Sequence, residues 1–443
     1  MKETDLTQGK IFQKLIKFSL PMIAGNLLQQ IYNLVDTLIV GRCLGADALA
    51  AVGSAYTLMI FITSIIIGLC MGSGAFFSED YGAGNQKKLK EDIGLSFWFI
   101  LSVSVVICAI IYPGMNFILW ILQTPKELMA LTREYVTVVF VGIIFVFLYN
   151  FFAYLLRSMG NSFMPLVFLA ISSVLNIVLD IWFVAGLNMG VGGAALATVI
   201  AQAVSGLGLL IYSMIKIPVL KNNHERTGFN IQRLKEIIIN DVATGIQQSV
   251  MNFGILMIQG LVNSFGITIM ASFAAAVKID TIAYMPAQEF GNAYSLFVSQ
   301  NYGADEKDRI RKGTHISFVI SALFCVVISL MIFIFAENLM RIFIDADEIR
   351  IIAEGTRYLK IEGSIYVGIG VLFLWYGYFR GINKPHISLL LTVISLGTRV
   401  ILSYTLAPHT PLGVTAIWSS IPIGWVLADV VGLYLYMKIF NGR

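Results

Sequence analysis

About twelve separate stretches of this chain are long and apolar enough to cross a lipid bilayer, and nothing else in the sequence limits its fold so sharply. A crossing helix needs roughly 20 mostly apolar residues to cover about 30 Å of hydrocarbon. Runs such as 100–111 and 136–147 have almost no polar interruption. The spacing predicts helices near 16–41, 48–75, 93–114, 134–156, 164–187, 190–215, 238–262, 268–299, 314–335, 355–379, 386–407 and 412–437. Only 13% of the residues are charged and 57% are hydrophobic, about half the charge of a soluble domain. The expected class is therefore an all-α polytopic membrane protein rather than a soluble protein with one very large helical core.

The longest connection, 216–237, is polar, carries Pro218 and Gly228, and falls at the centre of the chain. It reads as a cytoplasmic linker between an N-lobe at 1–215 with helices 1–6 and a C-lobe at 238–443 with helices 7–12. The two halves repeat one another. "YGAGNQKKLKEDIGLSF" begins at Tyr81 and "YGADEKDRIRKGTHISF" at Tyr302, an offset of 221. At the same offset Gly45 meets Gly266, Ala50 meets Ala271 and Ser78 meets Ser299. Near 222–223, "LLRSMGNS" at 155–162 matches "YFRGINKP" at 378–385, and "GVGGAALA" at 190–197 more faintly matches "GVTAIWSS" at 413–420. Six spans per half give both halves the same orientation, related by an axis along the membrane normal. Such a pair encloses a cavity that rocking opens to either side.

Lysine and arginine set the orientation. Twenty-one of them fall on the side that holds both termini and the Tyr-Gly-Ala segments, including Lys87, Lys88, Arg233, Lys307 and Arg309. Seven fall on the other side, among them Arg42, Arg133 and Arg357, and Lys278 and Arg399 lie within spans. Basic residues favour the cytoplasm, so both termini are expected there, in a multi-pass protein of the cell's inner or plasma membrane. The first apolar run contains Pro21, Gln29, Gln30 and Asp36 and no small-residue cleavage site, so no cleavable signal peptide is read.

Soluble chemistry finds little here. Cys43, Cys70, Cys108 and Cys325 form no CxxC pair, and His224, His315, His386 and His409 share no ligand spacing. No nucleophile with its base, and no metal cluster, marks a membrane boundary. The chain is thus expected not to be an enzyme and to need no cofactor. No nucleic-acid partner is expected, and the protein is expected to work as a monomer in the lipid bilayer.

Charged side chains inside spans cost at least about 2.5–3.5 kcal/mol, so each needs a reason. In the first half these are Asp36 and Asp180. Asp36 lies about five residues from the outer end of helix 1, Asp180 about seven from the outer end of helix 5, and Thr198 about eight into helix 6. At 1.5 Å per residue these depths agree within a turn. Asn176 shares a face with Asp180, and Asn33 with Asp36. Two carboxylates, an amide and a hydroxyl converge there, which suits a small cation: a proton held between crowded, poorly hydrated acids, or Na⁺ on oxygen ligands. A polar network gluing helices together is the alternative. In the second half Lys278 and Asp280, two residues apart, cannot share a face. Lys278, Asp280 and Glu289 are candidate cavity residues, and a static ion-pair role for Lys278, Asp280 and Arg399 stands beside transport. Arg399 and Asp429 are unplaced. Pro21 frees a carbonyl and permits helix 1 to bend. Seventeen methionines and 54 aromatic residues can line a cavity tolerant of organic cations.

"LPMIAGNLLQQIYNLVDTLIVGRCLGADALAAVG" at 20–53 resembles the opening of the multidrug and toxic compound extrusion (MATE) family. "LLRSMGNSFMP", "LNIVLDIWFVAGLNMGVGGAALATVIAQ", "FRGINKP" and the paired "YGAG" and "YGAD" segments fit the same pattern along essentially the whole chain. The resemblance implies twelve helices in two six-helix lobes and antiport, in which drug-like, often cationic or aromatic compounds leave as H⁺ or Na⁺ enters. In the prokaryotic branch with an N-lobe Asp pair, the family's cation site falls on Asp36, Asn176, Asp180 and Thr198, which would also be the Na⁺ ligands, and its bending proline on Pro21. Another branch uses acids of helices 7 and 10. Here helix 7 reads "GIQQSVMNFG", and Ile369 and Gly370 stand where the helix 10 acid would fall, so no C-lobe Na⁺ site of that type is expected. A flippase for lipid-linked oligosaccharides shares the architecture, but it would need several deep basic residues for phosphate, and only Lys278 and Arg399 lie deep.

Overall fold

The computed structural model describes residues 4–121, 125–221 and 230–441, and every regular element among them is a helix. The first six rods are α1 (Ile11–Leu44), α2 (Ala46–Gly82), α3 (Gln86–Ile121), the pair α4 (Met129–Val141) and α5 (Ile143–Ser158), α6 (Phe163–Asp180) continued by a π-turn (Ile181–Gly186), and α7 (Gly190–Lys216). A single turn, α8 (Pro218–Lys221), starts the central connection. The second six are α9 (Ile231–Ser264), α10 (Ile267–Gly303), α11 (Lys307–Met340), the pair α12 (Ile349–Gly363) and α13 (Tyr366–Gly381), α14 (Pro385–Leu406) and α15 (Val414–Asn441). The all-α, two-times-six architecture expected from the apolar runs is the one found. The middle of the expected linker, 222–229 with His224 and Arg226, lies outside the described residues, as do Lys2 and Arg443.

Several rods outrun the hydrocarbon. Both α2 and α10 have 37 residues, and at 1.5 Å per residue each is roughly 55 Å long. The charged Tyr-Gly-Ala segments, expected as loops, are therefore mostly helix, and only residues 83–85 separate α2 from α3. A helix projecting into water keeps its backbone bonded while its lysines stay hydrated, so charge ends the span without ending the helix. Two spans expected as single helices are bent instead, by 42° between α4 and α5 and by 51° between α12 and α13. Gly142 makes the first break, pressed against α7 where a Cβ would collide with Gln202. At the second, the Ser364 hydroxyl donates to the Ile361 carbonyl at 2.9 Å, competing with the helix's own ladder. The breaks are 222 residues apart, so the repeat extends to the bends.

The repeat is also written in the backbone. Left-handed residues pair at offsets of 221–223: Gly45 (φ 87°) with Gly266 (96°), Gly84 (67°) with Asp305 (55°), Gly160 (83°) with Asn383 (57°), and Gly190 (64°) with Gly413 (51°). The helix-ending bond from Asn85 N to Asp80 O (3.0 Å) recurs from Glu306 N to Asn301 O (2.9 Å). The bond from Asn161 N to Leu156 O (2.8 Å) recurs from Lys384 N to Phe379 O (2.8 Å). These are helix C-terminal closures that need a residue tolerant of positive φ, which explains glycine, asparagine and aspartate there.

By proximity the chain forms two compact units. Unit 1 is Met1–Leu6, Leu20–Gln248 and Gly303–Asp305; unit 2 is Thr7–Ser19, Ser249–Tyr302 and Glu306–Arg443. Unit 1 is held by a large apolar core that includes Phe77, Phe97, Phe147, Phe151 and Phe152 in edge and tilted ring contacts. In unit 2, Trp418 stacks on Phe273 at 5.3 Å and meets Tyr358 edge-on at 4.9 Å. Several apolar spans are mostly left uncovered by the protein: in α11 only 22% of the most apolar 18-residue window is covered, and Leu323 and Ile334 are exposed. Surface of that kind requires hydrocarbon as its solvent, and the protein is a multi-pass membrane protein.

Candidate functional site

Asp180 is the last α-helical residue of α6, and the chain passes at once into the π-turn, where Leu187 N bonds to Trp182 O at 2.9 Å. A π-turn inserts a residue and re-aims the side chains beside it. Asp180 is fully buried, and its carboxyl group interacts directly with that of Asp36 on α1. Asp36 Oδ1 and both Asp180 oxygens accept no hydrogen bond from any other described residue. Asn176, one turn before Asp180 and 2% exposed, leaves both its amide oxygen and nitrogen unpartnered among the described residues. Two carboxylates thus meet in unit 1, one helical turn from an unsatisfied amide, and among the described residues no positive charge acts on either.

Thr198 on α7 reaches this place indirectly. Its hydroxyl donates to the Ala194 carbonyl at 3.1 Å, and its neighbour is the buried Tyr135 of α4. Tyr135 hydrogen-bonds with Thr198 and lies within electrostatic reach of Asp36, Asp180 and Tyr32, so it stands near both the hydroxyl and the acids without bonding the free acid oxygens. Tyr32 and Tyr56 also face Asp36. Sequence reasoning misses Tyr135, because a lone tyrosine in "LTREYVTVV" looks like packing; the available signal is that a buried phenol needs a polar partner. Asn33 reaches one of these tyrosines rather than the acids, with Nδ2 3.5 Å from the Tyr56 hydroxyl. Pro21 lies inside α1, beside the boundary between Ser19 and Leu20 where the two units divide.

In unit 2, Lys278 is exposed on the surface of α10 and Asp280 is buried, on different faces as their spacing requires. Asp280 accepts a hydrogen bond from the Tyr366 hydroxyl at 2.6 Å, and its carboxyl group interacts with that of Glu362. Glu362 also escapes the sequence. Ile369 and Gly370, the positions weighed for a helix 10 acid, are buried in α13, where Gly370 packs against Ser321 and Cys325. Glu362 stands on the other side of the bend, in a polar-looking "KIEGS" that reads as a helix end. Glu289 lies roughly 13 Å along α10 from Asp280. It accepts from Asn292, whose Oδ1 accepts in turn from the buried Arg380 at 2.9 Å. Asp429 Oδ1 is buried without a partner among the described residues, and Asp429 Oδ2 lies beside Gly368.

The repeat does not duplicate the acid pair. An offset of 221 carries Asp36 onto Met257, and an offset of 223 carries Asp180 onto Ser403 and Thr198 onto Ile421, so neither acid has an acidic counterpart in the other half. The pair therefore belongs to unit 1 by substitution within a shared frame. Such a pair is chemically able to take one added cation, a proton shared between the carboxyls or a small ion on their oxygens. Among the described residues no group of three or more His, Cys, Asp or Glu side chains is arranged for a metal, so Na⁺ at this place would lean on neutral oxygens such as that of Asn176.

The MatE family model matches residues 21–182 and again 243–405, once in each half. Probable multidrug resistance protein YpnP of Bacillus subtilis (strain 168) is 32% identical over 401 residues, covering 89% of this chain and 88% of that protein. Probable multidrug resistance protein NorM of Thermotoga maritima is 25% identical over 428 residues, covering 95% and 90%. Among solved structures, a crystal structure of MATE in the bent conformation superposes with a TM-score of 0.93 at 24% identity, covering 100% of this chain and 98% of that one. An outward-facing MATE transporter of the MOP superfamily gives 0.92 at 23% identity, with 100% and 98% covered. With one family model matched twice in register with the repeat, and a twelve-helix fold shared end to end, the chain belongs to the MatE family of membrane transporters.

Proposed function

We propose that this transporter is a cation-coupled multidrug antiporter of the cell membrane, with both termini cytoplasmic. The observation that carries the reading is the meeting of Asp36 and Asp180 without a donor between them. A proton on either acid creates the missing hydrogen bond, and Na⁺ would satisfy the same oxygens. Relatives described as multidrug resistance proteins support drug-like organic compounds as the exported class. The excess of lysine and arginine on one side supports the orientation.

In this reading drug binds from the cytoplasm, and a cation then reaches the acid pair from outside. Neutralising the pair removes the repulsion between α1 and α6, α1 shifts its bend near Pro21, and the drug site empties outward. Inward movement of each charge contributes about 2.3 kcal/mol per 100 mV. Asp36→Asn and Asp180→Asn are each expected to abolish resistance at normal membrane abundance; full efflux by both would end the coupling claim. Dye efflux from proteoliposomes under separately imposed pH and sodium gradients assigns the ion.

A further inference from the structure

Unit 2 holds a second pair of buried carboxyl groups, built from positions unrelated by the repeat to the first. Asp280 on α10 and Glu362 at the end of α12 are 4% and 3% exposed, and their carboxyl groups interact directly. The Tyr366 hydroxyl of α13 already donates to Asp280 Oδ1, while Glu362 Oε2 is buried with no partner among the described residues. Tyr284 of α10 and Tyr358 of α12 also face the acids, and among the described residues Arg399 of α14 is the one cation acting on both. Trp418 of α15 closes the cluster against Tyr358, and Asp429 of α15 faces Gly368 of α13 instead. An offset of 223 carries Asn176 of the first site onto Arg399. Where one half sets a neutral amide beside its two acids, the other sets a permanent positive charge.

We infer that Asp280 and Glu362 form a second proton-exchange site, and that Arg399, as its fixed counter-ion, limits it to a single proton. Two ionised acids and one guanidinium leave a net charge of minus one. A proton on the pair cancels it and supplies the donor that Glu362 Oε2 lacks. A metal ion is disfavoured, because the Tyr366 hydrogen points at one ligand oxygen and Arg399 already stands as the cation. The inference rests on the reading of the chain as cation-coupled.

The test is infrared difference spectroscopy of protonated carboxyl groups, from acid to alkaline pH, on the full-length protein in detergent. The Asp36→Asn/Asp180→Asn background silences the first pair. Adding Glu362→Gln is expected to remove a band equal to one carboxyl, and exchanging K⁺ for Na⁺ is expected to leave that band in place. Arg399→Gln is expected to let the second acid protonate too, so that the signal lost with the pair rises to two carboxyls, while Arg399→Lys keeps it at one. A spectrum unchanged by Glu362→Gln, or a band that Na⁺ abolishes, overturns the inference, and those two comparisons stand even if Arg399→Gln does not fold. The measurement needs no transport, so its failure leaves the Asp36–Asp180 reading intact, and a failure of that reading in the efflux assay leaves this one testable.

Discussion

Arg233, three residues into α9, closes on Asp92 of α3 with Nε 2.8 Å from Oδ1 and Nη2 on Oδ2. Asp92 is fully buried, the Arg233 side chain is 11% exposed, and the guanidinium lies 4.3 Å from the centre of the Phe76 ring. This clasp ties the helix that follows the central connection to the first half, within unit 1. Arg233→Leu would strand the carboxylate, a cost of about 3–5 kcal/mol for a broken buried pair. Thermal unfolding in detergent should show a clear loss of stability, and Arg233→Leu/Asp92→Asn should recover much of it. Equal losses in the single and double variants would contradict the clasp.

Gly142 and Gln202 make a second prediction. A Cβ on Gly142 would collide with the Gln202 side chain and sit 2.9 Å from the Val139 carbonyl and 3.2 Å from Val199 Cγ2. Gly142→Val is expected to destabilise the fold by about 1–3 kcal/mol through overpacking at the α4–α5 bend. Gln202→Ala should return part of that loss, read as non-additivity in a double-mutant cycle.

The paired left-handed residues predict unequal tolerance. Gly84 has no atom within 4 Å of a built Cβ, and Asp305 occupies the equivalent place in the other half with φ 55°. Gly84→Asp should cost only the local penalty of about 1–2 kcal/mol or less. At Gly160 a Cβ would collide with the Thr4 carbonyl, whose own amide bonds to Gly160 O at 3.1 Å. Gly160→Asn, the residue its partner Asn383 uses, should cost distinctly more and free the leading segment to protease. Similar stability and proteolysis for the two variants would count against this.

Tyr135→Phe keeps the ring and removes the hydroxyl that bonds with Thr198 within electrostatic reach of the acids. Losing one net hydrogen bond of about 1 kcal/mol should reduce dye efflux roughly fivefold. Thr198→Ala should do the same, and the double variant should be no worse than either, because one interaction is removed in each case.

The spans, the repeat and the two-times-six architecture are legible in the sequence because each is a property of local composition and order. Helix depth follows from a constant rise per residue, which is why counting residues along each span already sets Asp36, Asp180 and Thr198 at one level. Tyr135 and Glu362 are not legible, since a tyrosine in an apolar run and a glutamate before glycine and serine have ordinary local explanations. The bends at Gly142 and at 364–365 escape because apolar periodicity runs through them without a change of composition.

The sequence by itself determined the solvent and the number of rods, because hydropathy acts within a few residues. Only the tertiary structure decided which acid meets which. Asp36 faces Asp180 across 144 residues of chain, Glu362 faces Asp280 across 82, and Arg233 reaches back 141 to Asp92. Those pairings depend on the rotation of one rod against another, and no local pattern records it.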